Sequence, residues 1–348
     1  MSRTNSCGYT GLKNLKKSTL PSSDRWPNRL ETPELRTRIT IRNNQARLKK
    51  WIRDWAPPGL IRSAQRVLDH VRPAPWEYVR DGWGMDARVR GWNVACVAEM
   101  QRTKWRAYAD SLKGTGPLGI NHEEPEKPNS GNLRDHNTLI SYAYVLALAA
   151  HERQSISLLD WGGGMGHYYL LSKAVLPGVA IDYYCHDVPL LCQAGRDALN
   201  DAHFADQRQE TFSRRYDLVL ASSSVWYEEK WRSLLGELAE AADPYLYVTR
   251  MIFVDHGPSY LAIQRPWSLG YRTEYLCWIL NRAEFLECAR VQGLELVREF
   301  LICEAPHIHR APVQGEYRGF LFRRQECSLG ALRNKISEAG GHDGKGML

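Results

Sequence analysis

The chain has 348 residues, of which 43% are hydrophobic and 24% are charged, and its formal net charge is +7. This composition is typical of a folded, enzyme-sized protein, and no apolar run approaches the roughly 20 residues of a membrane span, which excludes a transmembrane protein. The N-terminus lacks the apolar segment of a secretory signal, and the eight cysteines form no CxxC pair. We therefore expect a cytoplasmic protein.

The positive charge is concentrated at the N-terminus. Residues 1–63 carry +10, and the rest of the chain sums to −3. We predict that residues 1–42, which are polar and basic, form a disordered arm. The spacing of apolar residues in the segment 44–63 predicts a basic amphipathic helix with Trp51 and Trp55 on its apolar stripe. That stripe either packs on the protein's own core or rests on an anionic membrane, which would place the protein at the inner membrane surface.

A mostly helical region precedes the first strand of the core. Residues 43–150 hold apolar positions at helical spacing, and we predict that they form a helical cap. Within this region, the segment GTGPLGINHEEPEKPNSGN is rich in Gly, Pro and Asn. That composition predicts a loop or a lid over a ligand.

Strands and helices alternate after residue 150. The segments ISLLD, AIDYYCH, YDLVLA and PYLYVTR have the pattern of strands and are separated by stretches of helical length. This alternation predicts a Rossmann-like, doubly wound α/β sheet over residues 151–325. The late segments LELVREFLICE and EYRGFLFRR follow a helix capped by Asn281, and their hairpin-like succession predicts an antiparallel edge. Residues 326–348 form a C-terminal tail.

The first strand runs into the glycine-rich sequence LLDWGGGMGHYY. A strand, a bare turn and a helix open a nucleotide-binding unit, because glycines let the backbone approach a ligand. A P-loop is disfavoured because no Lys follows the turn before Lys173. A dinucleotide site is disfavoured because His167 stands where its last glycine would be. The remaining spacing is D-x-G-x-G-x-G, over Asp160, Gly162, Gly164 and Gly166.

Two later positions suit a nucleoside ligand. Asp187 follows the second strand, where a carboxylate can accept hydrogen bonds from ribose hydroxyls or cap the next helix. Ser222 ends the strand YDLVLA at the sheet edge where ligands of open α/β sheets bind. The residues predicted to bind the cofactor are Asp160, Gly162, Gly163, Gly164, Gly166, Asp187, Val188 and Ser222.

These motifs, with the segment from Gln264 to Trp278, resemble a family of bacterial class I S-adenosylmethionine-dependent methyltransferases that is often associated with surface-polysaccharide genes. The similarity runs from about Ala56 to Arg324. It implies a seven-stranded Rossmann-like sheet, S-adenosylmethionine as the methyl donor, and acceptors that are largely uncharacterised. We expect O-methylation of a small polar or carbohydrate-like acceptor.

The acceptor site is predicted beside the donor site, in an insertion at residues 251–280. Four side chains in it recur at the spacing of one helical face, which forms either an aromatic wall for the acceptor or an ordinary packing surface; these are Tyr271, Glu274, Tyr275 and Trp278. A hydroxyl acceptor needs help to lose its proton. The candidates for a base or a positioning group are His167, Tyr227, His256 and Gln264.

Two other functions stay open on the sequence alone. A nucleic-acid methyltransferase would bind phosphates with the basic arm, although the −3 balance of the remaining chain argues against a basic core face. A non-catalytic scaffold would keep the fold, although here the glycines and Asp187 are intact. His307 and His309 have no partner carboxylate in their motif, so we predict no metal site.

Overall fold

The computed structural model describes residues 73–80, 82–84, 89–115 and 132–325. The predicted basic arm, amphipathic helix and C-terminal tail lie outside the described residues, as does most of the Gly- and Pro-rich loop. Within the described part of the chain, no helix is both long and apolar enough to span a membrane.

The described residues form ten strands and seven α-helices. The strands are β1 (Trp76–Val79), β2 (Ser155–Trp161), β3 (Ala180–His186), β4 (His203–Ala205), β5 (Tyr216–Ser222), β6 (Ala242–Val254), β7 (Tyr260–Gln264), β8 (Tyr275–Asn281), β9 (Leu294–Leu301) and β10 (Glu316–Arg324). The helices are α1 (Ala95–Ser111), α2 (Leu133–Ala149), α3 (His167–Val175), α4 (Pro189–Ala198), α5 (Arg208–Thr211), α6 (Trp231–Ala241) and α7 (Arg282–Val291).

Seven of the strands form a doubly wound sheet in the order β4-β3-β2-β5-β6-β10-β9. The first five are parallel, and β10 runs antiparallel to both β6 and β9. The predicted Rossmann-like sheet with an antiparallel last strand is therefore confirmed. The last strand is not at the edge, however. It takes the inner place because Phe320, Leu321 and Phe322 are fully buried, whereas most of β9 is exposed.

Helices cover both faces of this sheet. Leu158 and Leu220 point into one core, which contains residues of α2 and α3. Their neighbours Leu159 and Val219 point into the other core, with residues of α6 and α7. This alternation is the period of a strand that is buried on both faces. The result is a rigid frame whose parallel strands all end at one edge.

Three further strands extend the sheet beyond the end of β5. Strand β8 pairs in parallel with Phe253 and Val254 of β6, β7 pairs antiparallel with β8, and β1 pairs antiparallel with β7. The helical cap predicted for residues 43–150 therefore needs correction, because β1 is a strand. The helical face predicted within 251–280 is also wrong. The run YLCWILN is a strand with almost every residue buried, and such a run carries neither a helical nor an alternating period.

Candidate functional site

A cleft of about 490 Å³ lies at the carboxyl ends of the parallel strands. The loops after β2, β3, β4 and β5 line it, as expected for an open α/β sheet. Helix α1 and the connection between β7 and β8 cover the opposite side. Six of the eight residues predicted to bind the cofactor line this cleft; they are Gly162, Gly163, Gly164, Asp187, Val188 and Ser222.

The glycine loop has no room for side chains. Gly162 and Gly164 have φ values of 75° and 62°, which residues with a Cβ rarely adopt. A Cβ on Gly162 would lie 2.5 Å from Cβ of Ser224, and a Cβ on Gly164 would lie 2.9 Å from Oε1 of Gln101. The backbone therefore forms the floor of the cleft and can contact a ligand directly.

Asp187 is hydrogen-bonded to the glycine loop that forms this floor. Its Oδ2 accepts a hydrogen bond from the backbone N–H of Gly164 at 2.7 Å, and its Oδ1 accepts one from Val188 at 2.7 Å. Burial raises the pKa of the Asp187 carboxyl to about 6, and the two N–H donors oppose that rise. Each oxygen keeps a lone pair for a further donor. Asp187 is thus a half-buried, oriented acceptor at the end of β3.

The other two residues predicted to bind the cofactor lie beneath the loop. Asp160 is fully buried and accepts a hydrogen bond from the hydroxyl of Tyr183. A Cβ on Gly163 would lie 2.5 Å from the Asp160 carboxylate, so this side chain supports the loop from below. Gly166, with φ of 88°, is the residue before α3. The structure brings neither Asp160 nor Gly166 to the cleft surface.

We expect the buried carboxyl of Asp160 to make folding stability depend on pH. Burial raises the pKa of Asp160 from its ordinary value near 4 to about 7, so between these values the folded chain holds a proton that the unfolded chain has lost. Stability must then fall as the pH rises. Between about pH 5 and about pH 8 the wild type should lose about 2 to 3 kcal/mol more than Asp160→Asn, measured by urea unfolding. Equal losses in the two proteins would contradict this.

A second set of polar residues follows β4 at one end of the cleft. Asp206 and Arg208 line the cleft, and the Arg208 guanidinium lies over the ring of Trp161, 5.3 Å from its centre. Trp161 stacks on His186 at 4.0 Å. Burial and, to a smaller extent, the charge of Arg208 lower the pKa of His186 to about 4, so this imidazole is neutral near pH 7. Sequence reasoning missed Asp206, because a three-residue strand shows no periodicity.

Helix α1 closes the other side of the glycine loop. Gln101 is 3% exposed and lines the cleft above Gly164. One and two turns further on, Trp105 and Tyr108 contact His167 edge to face, at 5.0 and 5.2 Å between ring centres. His167 is 2% exposed and lines the cleft, so this predicted residue does reach the site.

Tyr227 and Gln264 meet in the cleft although they lie on different segments. The Tyr227 hydroxyl donates a hydrogen bond to Oε1 of Gln264 at 2.5 Å. Trp92 contacts the Tyr227 ring edge to face at 5.3 Å and stacks on Tyr275 at 4.1 Å. Trp76 lines the same region. The structure thus joins two of the predicted catalytic candidates in an aromatic pocket.

The charged side chains of the cleft are balanced. Those that line it among the described residues are Arg134, Arg208, Arg250, Arg265, Asp187, Asp206, Glu228 and Glu304. Arg265, which is 4% exposed, pairs with Glu77 at 2.8 Å and with Glu274 at 3.3 Å. Arg134 pairs with Glu304 at 3.0 Å. The cleft therefore presents no excess of positive charge to a polyanion.

Other predicted residues lie away from the cleft surface. His256 is exposed, in the turn between β6 and β7, and does not line the cleft. The four residues of the supposed helical face do not line it either. Tyr271 and Tyr275 are buried and contact Trp92. Glu274 forms an ion pair with Arg265. Trp278 stacks on Trp83, with 6.0 Å between the ring centres. These residues support the pocket wall from behind.

His307 and His309 lie in the connection between β9 and β10. Among the residues that the structure describes, no three His, Cys, Asp or Glu side chains form a group that could hold a metal ion. The backbone of His309 instead pairs with β1, donating to Trp76 O at 2.9 Å.

No protein-family model and no curated protein matches the chain. Among solved structures, it is similar to an S-adenosylmethionine-dependent methyltransferase from Clostridium acetobutylicum, with a TM-score of 0.36, 10% identity and coverage of 54% of this chain and 90% of that one. For 1,6-didemethyltoxoflavin-N1-methyltransferase from Burkholderia thailandensis, the TM-score is 0.37, the identity 14% and the coverage 71% and 100%. For mitomycin 7-O-methyltransferase, the TM-score is 0.36 and the identity 18%, and the similarity covers 67% of this chain and 70% of that one. Similarities this weak support no argument about the function of this chain, which must be argued from its own residues.

Proposed function

We propose that the chain is an S-adenosylmethionine-dependent methyltransferase that methylates an oxygen of a small polar or carbohydrate-like acceptor. The observation that carries the proposal is the contact between Asp187 and the glycine loop. It places an oriented carboxylate at 2.7 Å from the N–H of Gly164, on a floor that has no side chains. A ribose diol fits such a carboxylate, because each hydroxyl donates one hydrogen bond.

Other residues that line the cleft suit the remaining parts of the donor. Asp206, Val188 and Leu191 line the same cleft, so we assign Asp206 as the acceptor for the adenine amino group and the two apolar side chains as contacts for the adenine ring. A pyrophosphate is a poor fit, because the N–H of Gly164 already donates its hydrogen bond to Asp187 and is not left for a phosphate oxygen. The residues present therefore favour a methyl donor over a dinucleotide.

The acceptor would lie between the glycine loop and the aromatic pocket. Trp76, Trp92 and Tyr227 offer ring faces and edges, which suit a flat or sugar-like molecule. The balanced charge of the cleft favours a neutral polar acceptor over a nucleic acid. An acceptor from polysaccharide biosynthesis remains a prediction of the resemblance.

The chain's contribution to the reaction would be mainly positioning. The donor supplies an activated methyl group, and the acceptor oxygen must be held in line with it. Tyr227 lines the cleft, and its hydroxyl, which is oriented by the hydrogen bond that it donates to Gln264, is our candidate for positioning the acceptor hydroxyl. His167, a second group in the cleft wall, is the remaining candidate for a base.

Calorimetric titration of the full chain tests the donor assignment. We expect S-adenosylmethionine and S-adenosylhomocysteine to bind with Kd values on the order of micromolar, and NADH not to bind. Methyl-labelled donor, incubated with the protein and a cell extract, should then label small molecules or glycans. Binding of NADH alone would refute the donor assignment, and label in RNA or protein alone would refute the acceptor class.

A further inference from the structure

Gln101, in the wall of the cleft, has a buried hydrogen-bond acceptor that is not used. Its side chain is 3% exposed, it lines the cleft, and its Oε1 accepts no hydrogen bond from any described residue. A buried carbonyl oxygen without a donor is destabilising, so such groups usually have a partner. The missing donor therefore points to a ligand.

The place of this oxygen restricts which part of a ligand can reach it. Oε1 lies directly above Gly164, 2.9 Å from where a Cβ would be, and the N–H of Gly164 donates to Asp187. Gln101 and Asp187 thus contact the same glycine from two sides. If the ribose lies at Asp187 and the adenine at Asp206, as proposed above, the amino-acid arm is left to reach the part of the cleft that Gln101 lines.

The helix that carries Gln101 is held firmly. Lys104 Nζ donates to the carbonyl of Leu269 at 2.9 Å, and Arg102 pairs with Asp197 at 3.1 Å. The Tyr108 hydroxyl donates to the carbonyl of His167 at 3.3 Å. These contacts join α1 to three separate segments of the core. The amide of Gln101 is therefore oriented before a ligand arrives, which lowers the entropic cost of binding.

We propose that Oε1 of Gln101 accepts a hydrogen bond from the α-ammonium group of the methyl donor, so that α1 completes the donor site. An ammonium group has three N–H donors and no acceptor, which matches an unpartnered carbonyl oxygen. A hydrogen bond to a charged donor is also stronger than a neutral one. This inference rests on the proposed function, because it assumes a nucleoside with an amino-acid arm.

Binding of three nucleosides distinguishes the contributions of the ribose, the amine and the carboxylate of the donor. S-adenosylhomocysteine has the whole arm, its decarboxylated analogue keeps the amine only, and 5′-methylthioadenosine has neither the amine nor the carboxylate. We expect Gln101→Leu to weaken the first two by about tenfold or more and to leave 5′-methylthioadenosine within about twofold. Asp187→Ala should weaken all three alike, because each contains the ribose.

Two further variants guard against a folding defect. Gln193→Leu removes a glutamine from an exposed position of α4 and should bind all three compounds as the wild type does. Gln101→Asn keeps the amide but withdraws it by one methylene, and should show the same selective loss as Gln101→Leu.

Equal weakening of all three compounds by both Gln101 variants, or no weakening, would overturn the proposal. Unchanged affinity for the decarboxylated analogue would overturn the assignment to the ammonium group. Failure of the wild type to bind S-adenosylhomocysteine would instead refute the proposed function.

Discussion

Replacing Gly164 with valine is expected to weaken binding of S-adenosylhomocysteine by more than about a hundredfold. Two costs coincide at this position. A β-branched residue is strained at φ of 62°, and its Cβ would lie 2.9 Å from Gln101 Oε1. Either the loop or α1 must shift, and a shift of the loop breaks the hydrogen bond from Gly164 to Asp187. Strain of about 1 to 3 kcal/mol and the lost bond together give this size.

The control for this substitution is a glycine elsewhere in the same fold. Gly178, in the turn before β3, has open space around its Cβ position and no left-handed backbone. Gly178→Val should bind as the wild type does. Both variants would be checked for cooperative thermal unfolding before titration. Wild-type affinity in a folded Gly164→Val protein would place the donor site elsewhere.

Removing the hydroxyl of Tyr227 should lower turnover by about a hundredfold, whereas the affinity for the donor should stay within a few-fold. Tyr227→Phe keeps the ring that contacts Trp92 at 5.3 Å and removes the hydroxyl that bonds Gln264 and that, in the proposed function, positions the acceptor. The measurement is single-turnover transfer from labelled S-adenosylmethionine, at saturating donor, to the small-molecule fraction of a cell extract.

Tyr144→Phe is the matched control, because Tyr144 lies 45% exposed on α2 and does not line the cleft. Its turnover should equal that of the wild type. If Tyr227→Phe also turns over normally, the acceptor hydroxyl is not held by Tyr227, and His167 becomes the remaining candidate in the cleft wall. A parallel loss of donor affinity would mean that Tyr227 shapes the donor site instead.

The strands, the glycine loop and Asp187 were predictable because each depends on adjacent residues. An apolar run of strand length and the glycines that follow it are encoded by residues 155–166 alone. Asp187 follows β3 directly, and parallel strands bring their carboxyl ends to one edge whatever the rest of the chain does. The cap of α7 by Asn281, whose side chain accepts from Glu284 N–H at 3.0 Å, is equally local.

The segment 251–280 shows where local pattern fails. Tyr271, Glu274 and Tyr275 have helical spacing, yet β8 begins at Tyr275 because it pairs with β7 and with the end of β6. Pairing with distant strands decides between helix and strand when an apolar run has no clear period. These residues lie in the wall behind the proposed acceptor pocket, whereas the sequence pattern predicted that they form its surface.

The local order of residues by itself determined the class of fold, the glycine loop at the floor of the cleft and the carboxylate beside it. Only the tertiary structure decided which side chains stand above that floor. Gln101 reaches Gly164 because α1 is anchored to Leu269, and Tyr227 meets Gln264 because β7 folds back along β8. Such contacts join segments far apart in the chain, so their geometry follows from the packing of the whole sheet and its helices. No local pattern of residues encodes it.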